Sequence, residues 1–357
     1  MRIADGRSVA RRGYRKCADG LHELIFVGGY PGRLAHFLGP GRYSRERRAV
    51  YLGARRHIAL RAESKERFSI RRHIHMIEKG LCMKPRRDTF AEDYIRETVA
   101  AVLDAANDSN FSQLELCWFE DVLNAYFDAT VSSSSNIIAE ARRQYAFRLN
   151  QAPAGRELCA PRRVSDGKSP VSIEDLRELA DLRESVRHYT SEPVPTCVVD
   201  EAIDVALQSP TACNRVPWQI RVFTNSSEVH EIASIAMGTA GYIKSLSHIA
   251  VLVGDLSAYS HDRDRHLIYI DGSLAAMSFI LALRAQNISS CCINWPDIRN
   301  REIRMAKRLG LQPYQKVVML IAFGYADEDA IVPFSGKRDL ESVRKFGELS
   351  VSGDEVN

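Results

Sequence analysis

The 357-residue chain predicts an α+β sandwich, a mainly antiparallel sheet flanked by helices, preceded by an all-helical extension. Three observations lead there. From residue 172 to 346, helical and strand-like patterns interleave, as they do when helices cover a sheet. From 57 to 150 only helical periodicity occurs. Between them, 151–171 carries Pro153, Gly155, Pro161, Gly167 and Pro170 with little apolar content, which reads as a linker.

Residues 1–56 form a basic segment without a clear element, because Gly28-Gly29, Pro31-Gly32 and Gly39-Pro40-Gly41 break any helix. The expectation there is loose structure. His57–Leu81 turns helical, with Ile58, Leu60, Phe68, Ile70, Ile74 and Ile77 as apolar positions and Gly80 suited to a C-terminus. Ala91–Ala106, Gln113–Ala129 and Ile137–Leu149 are three further helices of the extension. In the second domain Ser172 is a candidate N-cap, with Asp175 three residues on. That helix leads into Arg183, and a second runs from Pro195-Thr196 to Leu207. Strands are expected at Trp218–Phe223, His248–Val253, Ser290–Asn294 and Lys316–Gly324. Helices are expected at Glu228–Ile235, Asp264–Gln286 and Arg299–Leu309, the last ended by Gly310. Ala275, Ala276 and Phe279 give the long helix a face small enough for close packing. Residues 347–357 are a C-terminal tail.

Composition is that of a globular protein, 45% hydrophobic and 26% charged. The longest apolar runs, Ile249–Val253 and Val317–Phe323, fall far short of the ~20 residues that span a bilayer. The N-terminus lacks a secretory signal pattern, so the expected location is cytoplasmic, with no membrane span. The net charge of +4 hides an asymmetry. Residues 1–100 hold 23 basic and 11 acidic side chains, a net of +12, leaving −8 for the rest. No nucleic-acid motif accompanies the basic part, which reads as a solvated surface rather than a nucleic-acid contact. The eight cysteines show no C-x-x-C spacing, and no metal site is expected.

The chemistry concentrates between Arg183 and Trp218. Arg183, Ser185 and Arg187 alternate, so an extended chain puts two guanidiniums and a hydroxyl on one face. Such a face suits a phosphate or another electron-rich group. Taken singly, either Arg could instead pair with Asp181 or Glu184 at the surface. Ser209–Asn214 then packs Pro, small side chains and an amide into a tight loop that lets a flat ligand approach the backbone.

Residues 172–346, about half the chain, resemble the nitroreductase family of flavoenzymes. The markers are R-E-S-V-R-H-Y at 183–189, S-P-T-A-C-N-R-V-P-W at 209–218, D-G-S-L-A-A at 271–276, C-C-I-N-W at 291–295, the strand ending Phe323-Gly324-Tyr325, and P-F-S-G-K-R at 333–338. The resemblance implies FMN as cofactor and a homodimer with the flavin at the subunit interface. It implies Arg183 with Lys337 or Arg338 at the flavin phosphate, and Ser185 at phosphate or ribityl oxygens. It implies Arg187 at the N1 edge, where a guanidinium stabilises the charge left by reduction. Pro210, Thr211, Ala212 and Asn214 would meet the ring edge and ribityl chain, and backbone N–H groups of Cys292, Ile293 and Asn294 the N5 side. On this reading Arg183–Trp218 forms the near half of a flavin cradle, and Cys291–Trp295 with Ser335–Arg338 the far half. The sequence departs from the family at Gly238–Tyr242, where an amide or basic side chain is common, and at Val216, where Gln is common. H-I-H-M-I-E-K-G-L at 73–81 resembles a helical extension of nitroreductase-like proteins associated with polysaccharide biosynthesis.

The resulting expectation is an NAD(P)H-dependent flavin oxidoreductase with a ping-pong cycle and an electron-poor acceptor, a nitro compound, quinone or similar. The flavin would carry the chemistry, with no catalytic side chain. The rival reading is a flavin-binding, non-catalytic component of a polysaccharide-biosynthesis assembly. A third is a family offshoot acting on the flavin itself or on a thiazoline- or iodo-aryl-type substrate.

Overall fold

The computed structural model describes residues 44–63, 67–148, 157–164 and 167–347. The glycine-rich part of the segment expected to be loose and the tail beyond 347 lie outside the described residues. The helical module contains α1 (Ser44–Ala62), α2 (Arg67–Leu81), α3 (Ile95–Ala105), α4 (Gln113–Ala129) and α5 (Asn136–Tyr145). Its core is aromatic and aliphatic, with Ile70, Ile74, Ile77, Phe119, Tyr126, Phe127 and Tyr145 buried together. Tyr126 meets Phe90 edge-to-face at 5.0 Å and donates its hydroxyl hydrogen bond to the Phe90 carbonyl at 2.8 Å, so burying the ring leaves no orphan polar atom.

Two expectations are corrected here. Residues 44–56 are helical, and the helix expected over His57–Leu81 is parts of two, α1 and α2. The reason is visible in what α1 buries: Ala49, Gly53 and His57, at spacing four. Those residues line one helix face, but none is a large apolar side chain, so hydrophobic periodicity does not register it. The linker is also less detached than its composition suggests: the Cys159 N–H donates to Asp121 Oδ2 at 2.8 Å.

The second domain holds α6 (Ile173–Leu182), α7 (Thr196–Leu207), β1 (Trp218–Phe223), α8 (Ser226–Ile235), β2 (His248–Asp255), α9 (Leu267–Ala285), β3 (Ser289–Ile293), α10 (Arg299–Leu309), β4 (Gln315–Gly324) and the short α11 (Leu340–Val343). The four strands form one sheet in the order β1-β2-β4-β3, every pair antiparallel. Helices cover both faces. Ile249, Val251 and Val253 of β2, with Leu320 and Ala322 of β4, face the core shared with α8 and α10. Ala250 and Leu252, with Ile321 and Phe323, face the core under α7 and α9. Each central strand therefore reads as an unbroken apolar run, because both its faces are buried. The α9 region, 262–285, is long and apolar enough by composition to cross a membrane, but half of it is buried in this core.

The module and the sheet domain pack against each other. Gly53 of α1 lies so close to the Leu256 backbone that a Cβ would stand 2.8 Å from it. Beside it, the His57 Nδ1–H donates to the Ser257 carbonyl at 2.8 Å, which leaves Nε2 to accept from Ser69 Oγ at 3.2 Å. Arg45 pairs with Asp297 at 3.0 Å.

Candidate functional site

The first group of site residues follows α6, whose start is fixed by a Ser172–Asp175 capping box and whose C-cap is Arg183. The chain then runs along the free edge of β3. Ser185 bridges Ser290, and the Val186 N–H donates to the Ser290 carbonyl at 3.1 Å. Val186 and Tyr189 are buried, and the Tyr189 hydroxyl donates to the Val186 carbonyl at 2.6 Å. Arg183, Ser185 and Arg187 are left half-buried on the segment. Among the described residues no carboxylate pairs with either guanidinium, so the surface pairing with Asp181 or Glu184 does not occur. Arg187 donates to its neighbour Ser185 O at 3.1 Å and stands 5.9 Å from the centre of the Tyr242 ring. Tyr242 lies in the segment that departs from the family pattern.

Cys291 and Cys292 of β3 sit within the field of these arginines. Burial pushes the Cys291 thiol up, and the surrounding protein raises that of Cys292 although this residue is solvent-exposed; Arg187 and Arg183 pull Cys291 back down, Arg183 alone doing so for Cys292. Cys292 and Asn294 are exposed and Ile293 is buried. On an edge strand half of the backbone groups point away from the partner strand and can receive a ligand. Arg183, Ser185 and Arg187 are thus brought to the strand that carries Cys291 and Cys292, with Ile293 and Asn294 following at its end.

Lys337 and Arg338 are not brought to them. Both are exposed on a segment that follows Asp327, whose N–H bonds the His188 carbonyl at 3.1 Å, and that touches the sheet core last at Ala330 and Val332. Arg338 donates to Ser342 O at 3.1 Å. The segment carries apolar side chains into solvent, with Ile331 91% and Phe334 98% exposed.

The second group is the loop before β1. Cys213, Asn214 and Val216 all adopt the left-handed conformation, with φ of 56°, 52° and 52°. For Val216, β-branched, this is a strained position. The loop is held from inside: the Asn214 N–H bonds Thr211 O at 3.0 Å and the Val216 N–H bonds Thr211 Oγ1 at 3.1 Å. The Ala212 N–H donates to Asp271 Oδ2 of α9 at 2.9 Å, and the buried Arg215 donates to Ala212 O at 3.0 Å. Burial pushes the Asp271 carboxyl up, opposed by the Ala212 N–H and by Arg215. Pro210 is exposed at the loop's start. From the module, Arg71 Nε donates to Asn214 O at 2.8 Å.

The two groups are far apart, which corrects the division into near and far halves. Loop 210–216 feeds β1 at one edge of the sheet, and Arg183–Arg187 lines β3 at the other, three strand spacings or about 14 Å away. They also differ along the strands. Trp218 pairs with Gly254, whereas Ser290 lies level with Phe323 and thus His248, six residues or roughly 20 Å down β2. Closeness in sequence put Arg183 and Asn214 in one half; the sheet separates them.

The Nitroreductase family model matches residues 180–244 and 246–325, a segment that contains both groups except for the 333–338 tail. Residues 180–325 are therefore similar to the nitroreductase family. Similar curated proteins include a Thermus thermophilus NADH dehydrogenase, 29% identical over 89 residues, covering 25% of this chain and 43% of that protein. A putative NAD(P)H nitroreductase of Bacillus subtilis is 24% identical over 187 residues, covering 43% and 90%. The human iodotyrosine deiodinase 1 is 21% identical over 196 residues, covering 48% and 68%. The match thus spans less than half of the Thermus protein's own length. Among solved structures, a putative nitroreductase of Desulfovibrio desulfuricans in complex with FMN is 17% identical with a TM-score of 0.42, covering 51% of this chain and 99% of that one. In the family-matched segment, sequence reasoning missed Arg215, Asp271 and Tyr242 as site neighbours. A lone Asp in the apolar helix 267–285 is a signal for Asp271. Arg71 lies outside that segment and has no local signal at all.

Proposed function

We propose that the chain is an FMN-dependent oxidoreductase that takes hydride from NAD(P)H and delivers electrons to an electron-poor acceptor, acting as a homodimer. The observation that carries this reading is the pair Arg183 and Arg187, half-buried beside β3 and without a carboxylate partner among the described residues, inside the family-matched segment. Two such guanidiniums fit an anionic, hydrogen-bonding ligand such as a flavin phosphate and pyrimidine edge. Bound FMN would supply hydride acceptance and release. Arg183 and Ser185 would hold the phosphate end. Arg187, its fork fixed by Ser185 O and the Tyr242 ring, would place positive charge where the reduced ring gathers electrons. The free backbone edge at Cys292–Asn294 would receive the other side of the ring.

The dimer reading rests on the separation of the two groups. In a two-fold assembly, loop 210–216 of one copy can complete the Arg183 edge of another, giving two equivalent sites. Exposed Ile270, Leu274 and Met277 on α9, and Leu176 and Leu182 on α6, supply an apolar surface for the contact, and the Ile331–Phe334 segment supplies an arm. Lys337 and Arg338 would then reach the flavin phosphate from that arm. The deciding experiment is an absorption spectrum of the purified protein, before and after anaerobic NAD(P)H. A flavin spectrum that bleaches is expected; no flavin, and no binding of added FMN, overturns the proposal.

A further inference from the structure

We propose that the helical module is a brace for the loop 211–216, with Arg71 as the positioning residue that sets the Asn214 backbone. As regards the cofactor, this rests on the flavin reading; as regards the loop, it does not. Arg71 leaves the module and bonds the Asn214 carbonyl at 2.8 Å. The rest of its side chain is fixed by α4. Its Nη1 donates to Glu115 Oε1 at 2.8 Å, and its guanidinium lies 4.9 Å from the centre of the Trp118 ring. Glu115 is itself immobilised, as the third residue of the Ser112 capping box and as a partner of Arg67. The arm that reaches the loop therefore starts from a rigid base.

The loop needs such an arm. Its three left-handed residues are strained, and strained backbone persists only where its surroundings over-determine it. Asp271 and Arg215 secure Ala212, at the loop's start. The Asn214 carbonyl, at its turn, is secured from the module. The loop's exit is tied as well, because the Asp255 N–H bonds Pro217 O at 2.8 Å. The next residue, Leu256, is where α1 docks through Gly53, and Ser257 receives His57. The module thus grips the loop directly through α2 and its exit indirectly through α1. A mere inter-domain adhesive would not have to touch both.

The test compares Arg71→Met, Arg71→Lys and, as control, Arg61→Met, which removes an ion pair to Glu97 inside the module. In the flavin-free protein, Arg71→Met should raise hydrogen exchange at the Asn214 and Val216 amides about tenfold or more, with the amides of β2 and β4 unchanged. In FMN titrations it should weaken binding by about tenfold, with Arg71→Lys intermediate and Arg61→Met at wild-type affinity. Unchanged exchange at those two amides in Arg71→Met overturns the brace. Altered exchange with unchanged FMN affinity overturns its link to the cofactor. Wild-type protein that binds no FMN overturns the flavin reading, and the exchange experiment still decides the brace.

Discussion

Arg183 and Asn214 stand at opposite edges of one four-stranded sheet, although only thirty-one positions separate them in the chain. A ligand that needs both must take them from different copies. Arg183→Glu and Asn214→Ala chains should each lose FMN binding when purified alone. Co-expressed in equal amounts and assorting at random, they should recover about a quarter of the sites, because half of the dimers are mixed and each mixed dimer has one intact site. Flavin-to-protein ratios of the two single preparations and the co-expressed one measure this.

Removal of the exposed arm, by a stop at Ile331, should shift the sedimentation profile toward monomer and reduce flavin content in parallel. The basis is the near-complete exposure of Ile331 and Phe334, which a second copy would bury on the proposed dimer.

Arg187→Met should leave FMN bound, since Arg183 remains, but slow its reduction by NAD(P)H by about 100-fold, the usual scale for losing one preorganised charge at a site of developing charge. Stopped-flow bleaching of the flavin is the measurement. Arg187→Lys should fall between, because an ammonium keeps the charge but not the fork held by Ser185 O.

Gly53→Val should lower stability by about 1–3 kcal/mol, the usual scale of overpacking, because its Cβ would meet Leu256 backbone at 2.8 Å and backbone cannot swing aside. The sheet domain should retain its own protection. Limited proteolysis would show cleavage concentrated between module and domain.

Stability should fall on acidification. Burial pushes the His73 imidazole down to about 4, and burial also lowers His57, with Arg215, Arg61 and Arg72 adding to the effect and Ser257 O opposing it for His57. The fold therefore prefers both rings neutral, while the unfolded chain protonates them below about 6.5. Their contribution is complete above that value and is lost as the pH drops from about 6.5 toward 4, by roughly 3 kcal/mol for His73. Urea midpoints between pH 7.5 and 4.5 should show the decline, and His73→Gln should flatten it.

The sheet domain was legible because its central strands are apolar on both faces and its helices carry caps: Ser172 and Gly310 mark two boundaries directly, while Asn225, the cap of α8, went unread and that helix was started two residues late. Arg183, Ser185 and Arg187 were legible because two-residue spacing on an extended chain is a local property. Helix α1 was not, since it docks through Ala49, Gly53 and His57, and small residues leave no hydrophobic signature. The separation of Arg183 from Asn214 was not legible either. It depends on strand order, and the order β1-β2-β4-β3 sets the loop before β1 and the Arg183 segment beside β3 at opposite edges. Arg71 reaches Asn214 across 143 positions, a contact that no local pattern encodes.

If the site is shared between two copies as proposed, its division between two sheet edges would tie cofactor loading to abundance. A flavin that bridges two copies binds the pair and not the single chain, so its apparent affinity should rise with protein concentration and dilution should release it. Where the chain is scarce, most copies would be empty, and doubling expression would raise the loaded fraction as well as the amount. One defective allele would also reach beyond its own product, because every mixed pair carries its lesion into one of two sites.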